Sequence, residues 1–180
     1  RLTQALRQLF LTATKKQGFV KGADFETYIS RYIFPEDKYT LIYKTPGEED
    51  NAERNSSEIK PYRFANPILV DFSMETHGVW TILDDGSSIW QLRIESPGAH
   101  SLNLIYDKFH IPEGAEFFVY SEDREIVLGA FTDYNHKPHG GFSTAPIEGD
   151  VIILEYNQLA YADFNGEISV NIVAHDYRDV

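Results

Sequence analysis

The chain has 180 residues, 42% of them hydrophobic and 14% aromatic, and it carries a formal charge of -12 from 28 acidic against 16 basic side chains. That balance repels phosphate backbones and anionic membranes, and no Lys/Arg stripe overcomes it locally, so nucleic acid is excluded as a natural partner. With no cysteine, disulfides and thiolate metal sites are excluded too, and no apolar run is long enough to cross a bilayer as a helix.

This length suits one domain with a small appendage. Arg1 to Lys16 sets Leu2, Leu6, Leu9, Phe10 and Ala13 at helical spacing before Gly18. The spacing predicts an amphipathic helix, packed on the domain in preference to facing a partner. A second helix is expected over Ala23 to Ile33, capped near Asp24 and ended by Phe34-Pro35. Tyr39 to Tyr43 reads as a short strand, and the polar run TPGEEDNAERNSSEIKP as a mobile acidic loop. The domain boundary is placed there, with 1–60 as appendage and 61–180 as a β-domain.

From Tyr62 onward apolar and polar residues alternate between Gly, Pro and Asp clusters. Strands are expected at Ile68 to Phe72, Val79 to Leu83, Ile89 to Ile94, Ser101 to Phe109, Phe117 to Tyr120, Ile126 to Phe131 and Phe142 to Thr144. Val151 to Tyr156, apolar on both faces, reads as a central strand, and Ile168, Val170, Ile172 and Ala174 alternate along the last one. Asp84-Asp85-Gly86 marks a hairpin in which Trp90, Leu92 and Ile94 face the core while Gln91, Arg93 and Glu95 face outward. About nine strands without intervening helices imply an all-β fold, a two-sheet antiparallel β-sandwich of jelly-roll type.

One ordered series runs through this region: GxW, DG, IWxLxIxSPGAxSLNLxYDxFxIPxGAExFVY and LGAFT, then Gly149-Asp150 before VIILEY, and finally His175-Asp176-Tyr177-Arg178. Spanning Tyr62 to Arg178, the series resembles the non-catalytic N-terminal domain that precedes the trypsin-like domain of secreted bacterial lysyl endopeptidase-type serine proteases. The resemblance implies secretion from a bacterium and a propeptide-like role, assisting folding of a downstream protease domain or holding it latent. That protease domain would be the partner, and an acidic surface suits a protease that recognises lysine.

Residues of catalytic type are present but unpatterned. Six histidines and many serines occur without a Gly-x-Ser-x-Gly elbow or a Gly-Asp-Ser-Gly-Gly motif, so neither enzyme activity nor a cofactor is expected. His136 and His139 with Asp133 could hold zinc, but the spacing marks no further ligand and a solvated Gly/Pro loop is the reading preferred. Asp163, Asn165 and Glu167 supply calcium-type oxygens where a turn already needs Asp, Asn and Gly, and they remain the better calcium candidates. A carbohydrate-binding module is the alternative function, with Trp80, Trp90, Tyr106, Tyr134 and Tyr161 as candidate stacking rings, although Trp90 falls in phase with the core. A protein partner is expected on outward positions such as Gln91, Arg93 and Glu95, or on the N-terminal segment.

Overall fold

The computed structural model describes residues 38–40 and 64–177; both predicted helices and the acidic loop lie outside them. The described residues are all-β, with eleven strands in two sheets and one 3-10 turn at Asp133–Asn135. The strands are β1 (Lys38–Thr40), β2 (Ala65–Ser73), β3 (Val79–Ile82), β4 (Ser88–Glu95), β5 (Ser101–His110) and β6 (Glu116–Ser121). Then come β7 (Val127–Phe131), β8 (Phe142–Ser143), β9 (Ile147–Glu148), β10 (Val151–Gln158) and β11 (Glu167–Asp176). The two-residue β9 went unread in the sequence because it is held only by its pairing with β5.

One sheet orders its strands β1-β4-β10-β6-β7, with β3 also on β4, and the other β2-β11-β5-β8, with β9 also on β5. Pairing is antiparallel except for β1, which lies parallel to β4 and so joins residues on the appendage side of the expected boundary to the first sheet. β10, the VIILEY strand, is central, with Val151, Ile152, Ile153 and Leu154 buried in a row. Two sheets whose apolar faces share one core form a sandwich-like architecture.

The inner face of the first sheet carries an aromatic row in register across five strands. Trp80 pairs with Trp90, Trp90 with Tyr156, Tyr156 with Phe117 and Phe117 with Phe131. Tyr106, Phe109 and Phe142 of the facing sheet close on it, with Tyr106 edge-on to Phe117 at 5.8 Å. Gly78 of the GxW motif makes room for this row. Its φ is +80°, and a Cβ there would lie 2.5 Å from both the Gln91 carbonyl and the Trp90 indole nitrogen.

β11 departs from the expected alternation. A register shift between Val170 and Ile172 leaves Ile168, Val170 and Val173 in the core and moves Ile172 and Ala174 to the other face. A bulge reverses side-chain direction without changing composition, so period-two reading fails beyond it. On that outer face Ile172 pairs with Leu69 and Ile105, which are 81% and 38% exposed.

Candidate functional site

At the end of the sandwich where β4 finishes and β11 terminates, a polar clasp joins the sheets. Ser96-Pro97-Gly98 turns the chain, with Ala99 N–H donating to the Ser96 carbonyl at 3.2 Å. The Ser96 N–H donates to the Asp150 carbonyl, His100 N–H to the Asp176 carbonyl and Gly149 N–H to the His100 carbonyl, each at 2.8 Å. Ser96 Oγ and His175 Nδ1 share a hydrogen bond of 2.7 Å, with both side chains sealed from solvent. Ser101 Oγ donates to Asp176 Oδ2, while the buried Asp176 Oδ1 has no hydrogen-bond partner. Burial holds the His175 imidazole below its ordinary range, helped by His100 and opposed by Asp176. A serine paired with a histidine has the raw materials of a nucleophile and a base, but a dyad closed to water and substrate serves the fold.

A second hydroxyl–imidazole chain faces solvent after β2. Ser73 Oγ meets Thr76 Oγ1 at 2.8 Å, and Thr76 Oγ1 meets His77 Nδ1 at 2.7 Å. The backbone N–H groups of Thr76 and His77 both donate to the Ser73 carbonyl, so these side chains complete a tight turn.

Beside the clasp, Ser121, Glu122, Asp123, Glu148, Gly149, Asp150 and Val151 line an open cleft of about 320 Å³. Arg93 reaches its edge, donating from Nη2 to Glu122 Oε1 at 2.6 Å and from Nη1 to Glu95 Oε2 at 2.7 Å. Gln91 donates to Glu155 Oε2 at 2.9 Å, an oxygen that also accepts from Tyr120 at 2.9 Å. Of the three positions expected to face outward, Gln91 is buried, while Arg93 and Glu95 are half-buried and paired with each other. Apart from Glu95 within β4 itself, the partners come from β10, β6 and the turn after β6, which no local pattern in β4 could announce.

At the opposite end, His136 packs against His110 with ring centroids 4.4 Å apart, and Phe164 covers His110 at 4.5 Å. His136 Nδ1 donates to the Phe109 carbonyl at 3.0 Å, because a carbonyl can only accept. His139 Nδ1 instead accepts from Gly141 N–H at 3.0 Å within its own turn, and Asp133 opens the 3-10 turn. His136 thus meets a histidine 26 positions away in the chain, a pairing the spacing of the loop did not signal. Asp163, Asn165 and Glu167 are all exposed. Asn165 Oδ1 accepts from Gln158 at 3.3 Å, and Glu167 lies 3.5 Å from Lys108 Nζ. Among the described residues no three His, Asp or Glu side chains converge as a metal site would require. Asp85 Oδ1 accepts from the N–H of Ser87 at 2.9 Å and from its hydroxyl, which together lower the Asp85 pKa; that aspartate shapes the hairpin turn.

The stacking candidates divide sharply. Trp90 and Tyr106 are each 1% exposed and belong to the core, so neither can meet a sugar. Tyr106 is lost to the candidate set because the facing sheet closes over it. Tyr134, Tyr161 and Trp80 are 92%, 93% and 42% exposed. No known family model and no solved structure matches this chain.

Proposed function

We propose that the chain is a non-catalytic accessory domain of jelly-roll type, propeptide-like, that assists folding or maintains latency of a trypsin-like protease domain encoded downstream in a secreted bacterial protein. The observation that supports this reading most directly is the use to which the resembling residues are put. Gly78, Trp90, Ser96, Phe117, His175 and Asp176 build the aromatic row and the clasp, so the residues that carry the resemblance form a scaffold. A scaffold acts through its surface, and this one is acidic beside the clasp at Glu122, Asp123, Glu148 and Asp150. Such a surface attracts a basic partner and raises its encounter rate more than its final affinity.

The test is to sequence the reading frame beyond Val180 and add the isolated domain in trans to the mature protease. Slowed proteolysis or a raised refolding yield supports the proposal. A downstream frame lacking the His, Asp and Gly-Asp-Ser-Gly-Gly series, or no effect in either assay, removes it.

A further inference from the structure

Six of the nine large hydrophobic side chains exposed among the described residues lie near the β3–β4 turn end or on its adjoining loops: Trp80, Ile82, Tyr134, Leu159, Tyr161 and Phe164. An apolar concentration of this kind marks a binding surface more often than chance. Its rings are held in place. The Trp80 indole N–H donates to the Met74 carbonyl at 3.0 Å, and the ring stands edge-on to Tyr156 with centroids 6.1 Å apart. The loop that carries Tyr161 is seated on the same hairpin. A Cβ at Gly86 would lie 3.2 Å from Ala160 Cβ, and Gln158 Oε1 accepts from both Tyr156 Oη at 2.8 Å and Gly166 N–H at 3.0 Å. At roughly 3.3 Å per residue, Trp80 lies about 7 Å along β3 from the strand end at Ile82, which leads into the turn on which this loop rests.

We propose that this end is a carbohydrate-binding surface for a neutral polysaccharide, with Trp80 and Tyr161 as its two principal stacking rings. A pyranose presents a C–H face that lies against an aromatic ring and a rim of hydroxyls that needs acceptors. Acceptors are available on the same two turns, where Asp84, Asp163 and Asn165 are exposed. The core of a protein–protein interface is depleted of charge, whereas here carboxylates interleave with the aromatics. The same carboxylates repel uronate and sulfated chains, which leaves an uncharged glycan as the fitting class.

The intact protein is titrated with cello-, xylo- and chito-oligosaccharides while tryptophan emission is followed, and its retention on cellulose, xylan and chitin is measured. Trp90 is sealed in the core, so a saturable change in emission reports Trp80. One of these glycans is expected to bind, and Tyr161→Ala, at a side chain almost wholly in solvent, is expected to weaken it at least tenfold without changing the melting temperature. Trp80→Ala is expected to abolish the emission change, and Leu69→Ser, on the outer face of the other sheet, to leave binding intact. No saturable binding to any of the three glycan classes overturns the proposal. So does binding that survives both aromatic substitutions, or a stronger, aromatic-dependent response to a lysine-rich peptide. The outcome is independent of the accessory-domain reading, which the protease assays test separately.

Discussion

The clasp end, with Ser96, Ser101, His175 and Asp176, withdraws its polar groups from water and ties strand ends of two sheets together. The β3–β4 turn end leaves Tyr134 and Tyr161 in solvent and Trp80 partly so. In the first, removing a side chain strands a buried partner; in the second, removing Tyr134 or Tyr161, each more than nine-tenths exposed, takes away surface that packing does not use. A large ring exposed where the fold gains nothing is the better indicator of binding, while a serine–histidine pair, which looks chemical in a list of contacts, here holds the structure closed.

The largest effects are expected in the aromatic row that crosses the first sheet. Trp90→Ala should cost about 3–5 kcal/mol, seen as a lowered denaturation midpoint at constant slope. Gly78→Ala should also be strongly destabilising, through its positive φ and the close Gln91 carbonyl. At the clasp, Ser96→Ala should cost about 1–3 kcal/mol by leaving the His175 ring without its hydroxyl partner, whereas Tyr161→Ala should stay within about 0.5 kcal/mol. If Ser96→Ala proved as mild as Tyr161→Ala, the contrast between the ends would collapse.

Acid sharpens the same contrast. Since burial lowers the folded pKa of His175 from its usual 6.5, the unfolded chain binds more protons as the pH falls through that value, so stability rises with pH across the window and is lost below it. Melting temperatures between pH 7.5 and 5 should fall less steeply in His175→Gln than in the parent, because carboxylate effects are common to both. Hydrogen exchange should show the opening first around residues 96–101 and 175–177, with the β3–β4 turn protected to lower pH. The smallest effect belongs to the exposed Lys108–Glu167 pair: Glu167→Gln should change stability by about 0.5 kcal/mol or less, checked by the same denaturation curves at low and high salt.

Much of the sandwich was legible in the chain. The alternation of Trp90, Leu92 and Ile94 placed their faces correctly, Asp84-Asp85-Gly86 located the hairpin, and the unbroken VIILEY run identified the central strand. These signals are local, because a strand buried on one or both faces must write its period into its own residues. The misreadings lie where direction or cover depends on another strand. Gln91 sits on the polar phase yet is buried against Glu155, Tyr106 is closed over by the facing sheet, and the bulge at Asn171 turns Ile172 outward.

The candidate surfaces divide along the same line. Tyr134 and Tyr161 could be nominated from the sequence as rings in polar loops. Ser96 and His175, 79 positions apart in the chain, could not be paired from it, nor could His110 and His136. By itself the sequence determined strand periods, turns and charge, all properties of neighbours along the chain. Which hydroxyl meets which imidazole, which carboxylate accepts from Gln91 and which rings remain in water were decided only when the sheets packed, because hydrogen bonding and desolvation depend on distance in space and not on separation in sequence.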